Sequence, residues 1–122
     1  MHVLLLVAHG SRREESNLEI ESLAQKIALF KVKEFEVVMP AFLEFAKPSI
    51  TEAIDNCTVI GATKVTVLPY FLSAGVHIAK DIPNEVEIGA QQNPNLNIEI
   101  TDYFGSRDEI AEILLKTALN IS

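Results

Sequence analysis

The sequence is poor in cysteine, with Cys57 as its only one. A single cysteine forms no internal disulfide, and it cannot supply the thiolate cluster of a structural zinc site. Cys57 falls at helical spacing with three apolar residues, Ile50, Ile54 and Ile60. We therefore predict that it is a small buried core residue, because a free cysteine in an apolar pattern packs like a small hydrophobe.

Positive charge is also scarce. Ten Lys and Arg residues stand against seventeen Asp and Glu residues, which gives a net charge of −7. Partners such as nucleic acids and anionic membranes require a basic face, so we expect neither as a partner. The apolar start of the chain, 1–9, lacks a basic region and is too short to span a bilayer. The expected location is therefore the cytoplasm.

Several motifs that bind common cofactors are missing from the chain. It has no glycine-rich dinucleotide loop, no Walker A sequence and no Gly-x-Ser-x-Gly elbow. A length of 122 residues with 48% hydrophobic content is enough for one core and too short for two. We expect a single domain over 1–122.

Four strand-like segments alternate with four helix-like segments. Strands are predicted at 3–8, at 35–39 before Pro40, at 64–68 before Pro69, and at 96–101. Helices are predicted from about residue 16 to 30, over 49–60 with Gly61 as the C-terminal signal, over 85–92 after a break near Pro83, and over 107–119 as an amphipathic closing helix.

This order predicts a single-domain, three-layer α/β/α fold with a four-stranded parallel sheet and flavodoxin-like winding. Right-handed crossovers place the ends of the first three strands at one edge of the sheet. Ligands of such folds bind at the carboxyl edge, near the switch in strand order. The first three strand-to-helix loops are therefore where a site is expected.

Two histidines occupy those loops. His9 follows the first strand and precedes Gly10, whose backbone freedom permits a sharp turn. His77 ends the loop after the third strand, two residues beyond Gly75. A lone loop histidine is more often structural, but two at neighbouring strand ends can converge on one ion. Neutral imidazole suits divalent Co, Ni, Fe and Zn.

Glu44 lies in the second loop, within the apolar stretch 41–46. It is a candidate third metal ligand or proton acceptor, and a solvent-facing glutamate is the equal alternative. His2, at the opposite end of the first strand, is predicted to be structural or disordered. Arg12 is the cation closest in sequence to His9; it is a candidate to bind a carboxylate or phosphate, and a solvated surface charge is the more common role of such a residue.

The order of several short motifs resembles the class II tetrapyrrole chelatases. The motifs are His-Gly-Ser-Arg at 9–12, Ala-Phe-Leu-Glu at 41–44, Pro-Ser-Ile at 48–50, Leu-Pro-Tyr-Phe-Leu at 68–72, Gly-Val-His at 75–77 and Asp-Ile-Pro at 81–83. The nearest type is the short sirohydrochlorin cobaltochelatase, the CbiX-like form. Any one motif is weak, but their order over 9–83 is specific.

The resemblance implies a function and a set of site residues. His9 and His77 would bind the metal and help to remove pyrrole protons, with Glu44 beside them. The reaction would be ATP-independent insertion of Co²⁺, or of Ni²⁺ or Fe²⁺, into sirohydrochlorin in cobalamin- or sirohaem-type biosynthesis, with no cofactor and a homodimer as the assembly. The implied substrate-binding residues are Ser11, Arg12, Phe42, Leu43, Phe71, Leu72 and Gly75.

Two other functions use the same residues. One is a metal- or tetrapyrrole-carrying module without turnover, which the sequence does not distinguish from an enzyme. The other is a phosphoryl-transfer enzyme with His9 as nucleophile, for which the chain offers few of the arginines that bind phosphate.

Overall fold

The computed structural model describes residues 1–120, so the last two residues of the expected domain 1–122 lie outside it. Four strands alternate with four helices in the order βαβαβαβα. The strands are β1 (His2–Ala8), β2 (Val37–Phe42), β3 (Lys64–Pro69) and β4 (Asn97–Ile100). The helices are α1 (Glu14–Ala28), α2 (Ile50–Val59), α3 (Ile82–Gln92) and α4 (Glu109–Leu119). A π-helical turn, His77–Asp81, leads into α3, and a 3₁₀ turn, Phe104–Ser106, precedes α4.

The four strands form one parallel sheet in the order β2-β1-β3-β4. This arrangement confirms the predicted fold class and winding. The switch in strand order lies at β1, whose neighbours β2 and β3 come later in the chain. The loops after these three strands therefore share one edge of the sheet, as expected.

The core lies mainly between the sheet and the helices α2 and α3. Val3, Leu5 and Val7 of β1 are fully buried there, beside Val65 and Val67 of β3. A strand buried on both faces gives a continuous apolar run, which explains the pattern of 3–8. Cys57 is also fully buried, as predicted, and this burial raises the pKa of its thiol to about 11.

Two prolines lie within elements that they were expected to end. Pro40 is inside β2, which is an edge strand, and an edge strand tolerates a residue that has no N–H to donate. Pro83 lies in the first turn of α3, where the missing N–H has no partner within the helix. The expected break near Pro83 is therefore wrong, and the chain is helical from the π-helical turn through α3.

The closing helix forms within the predicted range, but it does not pack as expected. Every residue from 111 to 120 is exposed. Four of its large apolar side chains are more than half exposed: Ile113 (51%), Leu114 (63%), Leu115 (60%) and Leu119 (75%). Within residues 1–120, no other element covers this helix to the extent that its sequence predicts.

None of the helices in the described part of the chain is long and apolar enough to cross a membrane.

Candidate functional site

The loops after β1 and β2 are held together by backbone hydrogen bonds. Leu43 N–H donates to the carbonyl of Ala8, and Glu44 N–H donates to the carbonyl of His9, both at 2.9 Å. Gly10 has a φ of +91°, and a Cβ there would overlap the carbonyl oxygen of Glu44. The sharp turn and the close approach of the second loop both depend on this glycine.

This packing brings Glu44 against His9. The Nε2 atom of His9 lies 3.2 Å from Oε2 of Glu44, and the side chains are 40% and 50% exposed. The other ring nitrogen, Nδ1, lies 3.0 Å from the carbonyl of Gly10. A carbonyl only accepts, so Nδ1 carries a proton and Nε2 is the atom that meets the carboxylate. Nε2 of His9 and Oε2 of Glu44 are therefore the two donor atoms that face each other at the site.

His77 reaches the same place from the other side of β1. Its ring centroid is 4.8 Å from that of His9, with an interplanar angle of 66°. It is the first residue of the π-helical turn, and its Nδ1 lies 2.8 Å from Oδ2 of Asp81. The structure therefore brings together all three predicted metal-site residues, His9, His77 and Glu44.

The three side chains do not surround a common position that an ion could occupy. In the part of the chain that the structure describes, no group of three or more His, Cys, Asp or Glu residues is arranged to hold a metal ion. His9 and Glu44 contact each other directly instead. An ion that bound both residues would have to displace this direct contact.

A second cluster lies beside His9. The Phe45 ring is 6.1 Å from the His9 ring, and the guanidinium carbon of Arg12 is 4.9 Å from the Phe45 centroid. Phe45 is 54% exposed and has a φ of 65°, which is unusual for a bulky residue. This backbone conformation turns an aromatic face toward solvent at the edge of the site, with a cation above it.

The residues expected to bind substrate lie in different surroundings. Phe42 is only 1% exposed, so its ring belongs to the core and offers no face to a macrocycle. Leu43 and Phe71 are partly buried against the core, whereas Leu72 is 71% exposed and Gly75 is exposed. The aromatic residue of the second loop that faces solvent is Phe45, so the expectation for Phe42 fails in this structure.

Ser11 is held in place by Asn17. Ser11 N–H donates to Oδ1 of Asn17 at 2.9 Å, and Nδ2 of Asn17 donates to the Ser11 carbonyl at 2.8 Å. The Ser11 hydroxyl accepts from Arg13 N–H at 3.0 Å. These bonds fix the turn between His9 and α1, and they leave Arg12 exposed at the rim.

Three residues of the site were missed at the level of sequence: Asn17, Phe45 and Asp81. Asp81 is in one of the motifs that carry the family resemblance, and its spacing of four from His77 was a usable signal. Asn17 and Phe45 had no comparable signal. His2, by contrast, behaves as predicted: its Nε2 lies 2.7 Å from the Thr66 hydroxyl and its ring packs on Phe35, far from the site.

A parallel sheet ordered 2-1-3-4, with two imidazoles and a carboxylate at its carboxyl edge, is the arrangement implied by the resemblance to class II tetrapyrrole chelatases. Comparison with known proteins supports that class. The CbiX family model matches residues 3–120. The chain therefore belongs to the CbiX family, and the resemblance drawn from the short motifs is confirmed.

Relatives in this family carry chelatase names. The sirohydrochlorin cobaltochelatase of Saccharolobus solfataricus is 34% identical over 119 residues, covering 93% of this chain and 90% of that protein. The chloroplastic sirohydrochlorin ferrochelatase of Arabidopsis thaliana is 36% identical over 112 residues, covering 91% of this chain. The chain spans 48% of the Arabidopsis protein, so it corresponds to about half of that relative.

Solved structures agree with the fold. A CbiX protein from Marinobacter aquaeolei VT8 superposes with a TM-score of 0.80 at 27% identity, with all of both chains covered. The sirohydrochlorin chelatase SirB from Bacillus subtilis subspecies spizizenii, in complex with cobalt, gives a TM-score of 0.87 at 27% identity. That match covers 98% of this chain and 50% of SirB.

Proposed function

We propose that this protein inserts a divalent metal ion into sirohydrochlorin without ATP, with Co²⁺ as the metal and Ni²⁺ or Fe²⁺ as the alternatives. The observation that carries the proposal is the convergence of His9, His77 and Glu44. The two rings are 4.8 Å apart, and Glu44 is 3.2 Å from His9. The names of the Saccharolobus and Arabidopsis relatives support the choice of substrate.

The chemistry of insertion fits these groups. The macrocycle must lose two N–H protons while the ion loses water, so the site needs neutral ligands for the ion and a base nearby. Imidazole nitrogens suit Co²⁺, Ni²⁺ and Fe²⁺. Glu44 can accept a proton as the ion leaves for the macrocycle. The exposure of all three side chains, 40–50%, suits an ion that is delivered rather than kept.

The surface around the site supports binding of a flat, acidic ligand. Phe45 presents an aromatic face, and Arg12 lies 4.9 Å above it. A macrocycle that displaced Arg12 from the Phe45 ring would lie beside His9, and the displaced guanidinium could then bind one of its carboxylates. This local positive charge would partly offset the long-range repulsion between an acidic ligand and a protein of net charge −7.

The test is an insertion assay with sirohydrochlorin against Co²⁺, Ni²⁺ and Fe²⁺ in parallel, followed by the absorption spectrum of the metallated product. His9→Ala and His77→Ala are expected to lower the rate by roughly 100-fold or more. His2→Ala is the matched control, since it removes a histidine from the opposite end of β1. Unchanged rates in both site variants would contradict the proposal.

The same assay separates an enzyme from a carrier. With substrate in tenfold excess over protein, an enzyme converts all of it, whereas a carrier stops after one equivalent. Accumulation of only one equivalent would favour the carrier.

We also propose that two copies form a homodimer through α4. The helix is 11 residues long, and helices shorter than ~12–15 residues are marginal in water without tertiary packing. Its apolar side chains are exposed, including Ile113 and Leu114 on one face. The matched region is 50% of SirB, so a second copy of this unit would correspond in size to the other half of SirB.

The position of α4 relates the dimer to the site. The segment before it is tied to the third loop, where Gly105 N–H donates to the Phe71 carbonyl at 2.9 Å. In the same loop, Leu72 and Val76 are 71% and 64% exposed. A partner that covers α4 would thus approach the loop that carries His77, and the substrate would lie near the interface.

Analytical ultracentrifugation tests the dimer. Replacing both Ile113 and Leu114 by Gln is expected to give a monomer, because it removes apolar surface from the proposed interface. Replacing both Glu112 and Lys116 by Gln, on the polar face of the same helix, is the matched control and should leave the dimer intact. A monomeric wild-type protein at micromolar concentration would contradict the proposal.

A further inference from the structure

Asp81 is the residue near the site with the least explained position. It ends the π-helical turn and directly precedes α3, where an aspartate often caps a helix with its side chain. Here its side chain makes no capping hydrogen bond. Its Oδ2 instead lies within hydrogen-bond distance of His77, 2.8 Å from Nδ1.

This contact determines which nitrogen of His77 is free. A carboxylate accepts hydrogen bonds, so Nδ1 carries a proton, and in the neutral ring the lone pair is then on Nε2. His9 is set in the same way, because its Nδ1 donates to the carbonyl of Gly10 at 3.0 Å. Both imidazoles therefore offer Nε2 as the donor atom for an ion. The His9 arrangement depends on the backbone, whereas that of His77 depends on one side chain.

The helical spacing explains how Asp81 reaches His77, because side chains four residues apart on a helix lie near each other. The two residues are the ends of the five-residue π-helical turn from His77 to Asp81, and such turns are frequent at functional sites. Immediately after it, Ile82 is 1% exposed and anchors the start of α3 in the core. The anchored end fixes Asp81, and Asp81 in turn fixes the ring of the half-exposed His77.

We propose that Asp81 is a positioning residue for metal binding. It holds His77 in the Nδ1–H tautomer and aims Nε2 toward His9 and Glu44. This inference rests on the proposed function, in which His77 is a metal ligand. Carboxylates that hydrogen-bond a ligating histidine typically change metal affinity by about 10–100-fold when they are replaced.

The decisive variant is Asp81→Asn. It keeps the size of the side chain, but its amide can donate to Nδ1 and so stabilise the Nε2–H tautomer, which blocks the atom that binds the ion. We expect a loss of about 10–100-fold in Co²⁺ affinity. Glu85→Gln is the matched control. Glu85 and Asp81 line one cavity of about 270 Å³, which Glu44 and Asn84 also line. His77 is not among the residues that line it, so the control removes a nearby charge without altering the contact to His77.

Two measurements test the proposal on the full chain. Isothermal titration with Co²⁺ gives the affinity, and long-range ¹H–¹⁵N NMR of the metal-free protein gives the tautomer of His77. The expected result is a shift of His77 from Nδ1–H to Nε2–H and weak binding in Asp81→Asn, with both values unchanged in Glu85→Gln.

An unchanged tautomer with an affinity within twofold of the wild type would overturn the proposal. Equal weakening in Asp81→Asn and Glu85→Gln would also overturn it, because loss of charge alone would then account for the effect. His77→Ala separates this inference from the proposed function. If His77→Ala loses binding while Asp81→Asn does not, the metal site stands and only the role of Asp81 fails.

Discussion

Replacing Gly10 by alanine is expected to displace Glu44 from His9. Gly10 has a φ of +91°, and an added Cβ would overlap the carbonyl oxygen of Glu44 and lie 3.0 Å from its carbonyl carbon. The overlapping atoms belong to the backbone, so rotation of a side chain cannot make room for the Cβ. The chain must therefore move the second loop away or abandon the turn after β1.

Gly61 provides the control that separates the two contributions to the loss of stability, backbone strain and overpacking. It has nearly the same φ, +92°, but a Cβ there would meet nothing within 4 Å. Gly61→Ala therefore carries only the left-handed backbone penalty of about 1–2 kcal/mol. Gly10→Ala carries that penalty plus overpacking of about 1–3 kcal/mol, so its free energy of unfolding should fall by about 2–5 kcal/mol.

Urea unfolding of both variants measures these free energies, and titration with Co²⁺ measures the site. Gly61→Ala should bind the metal like the wild type, whereas Gly10→Ala should bind it more weakly because Glu44 has moved. Equal stability of the two variants, with equal Co²⁺ affinity, would refute the reasoning that the second loop packs on Gly10.

Further predictions concern a helix cap, the core and the substrate face. Ser49 caps α2 in a reciprocal pair with Glu52, so Ser49→Ala should lower the free energy of unfolding by ~0.5–2 kcal/mol, as measured in urea. Hydrogen bonds from Ser49 lower the pKa of Glu52 below its ordinary 4.5, so its contribution to stability is present above pH 4.5 and lost as the pH falls below it. Glu52→Gln should thus be less stable than the wild type at pH 6 and should approach it at pH 3. Burial raises the pKa of Cys57 to about 11, so its thiol should react with a disulfide reagent only after unfolding. Phe45→Leu should raise KM for the tetrapyrrole severalfold without changing Co²⁺ affinity, whereas Phe30→Leu, at a side chain that is 80% exposed, should change neither.

The positions of the two histidines could be predicted from the sequence because topology alone determines them. The apolar runs of β1 and β3 required strands buried on both faces, and parallel strands bring their carboxyl ends to one edge. His9 directly follows β1, and His77 ends the loop after β3. Their convergence could therefore be predicted without knowledge of side-chain packing. Glu44 followed from the same rule, although its two possible roles remained equal.

The aromatic residue that faces solvent beside the site could not be predicted in this way. Phe42 and Phe45 both lie in the second loop, where neither helical nor strand periodicity assigns a direction to a side chain. The structure extends β2 through Phe42, which turns that ring into the core, and then places Phe45 at a φ of 65° with its ring outward. Extension of an edge strand past Pro40 depends on strand order, which a local pattern does not contain.

The helix α4 marks a different limit of sequence reasoning. Its periodicity correctly predicted a helix with an apolar face, and burial of such a face is favourable wherever the covering surface comes from. A hydrophobic pattern indicates which face of a helix is favourably buried. It does not indicate whether the surface that covers this face belongs to the same chain. In the described residues Leu114 remains 63% exposed, so the energetic requirement is unmet within one copy. The same physical rule that predicted an intramolecular closing helix is therefore an argument for the proposed homodimer, in which a second copy would cover this face.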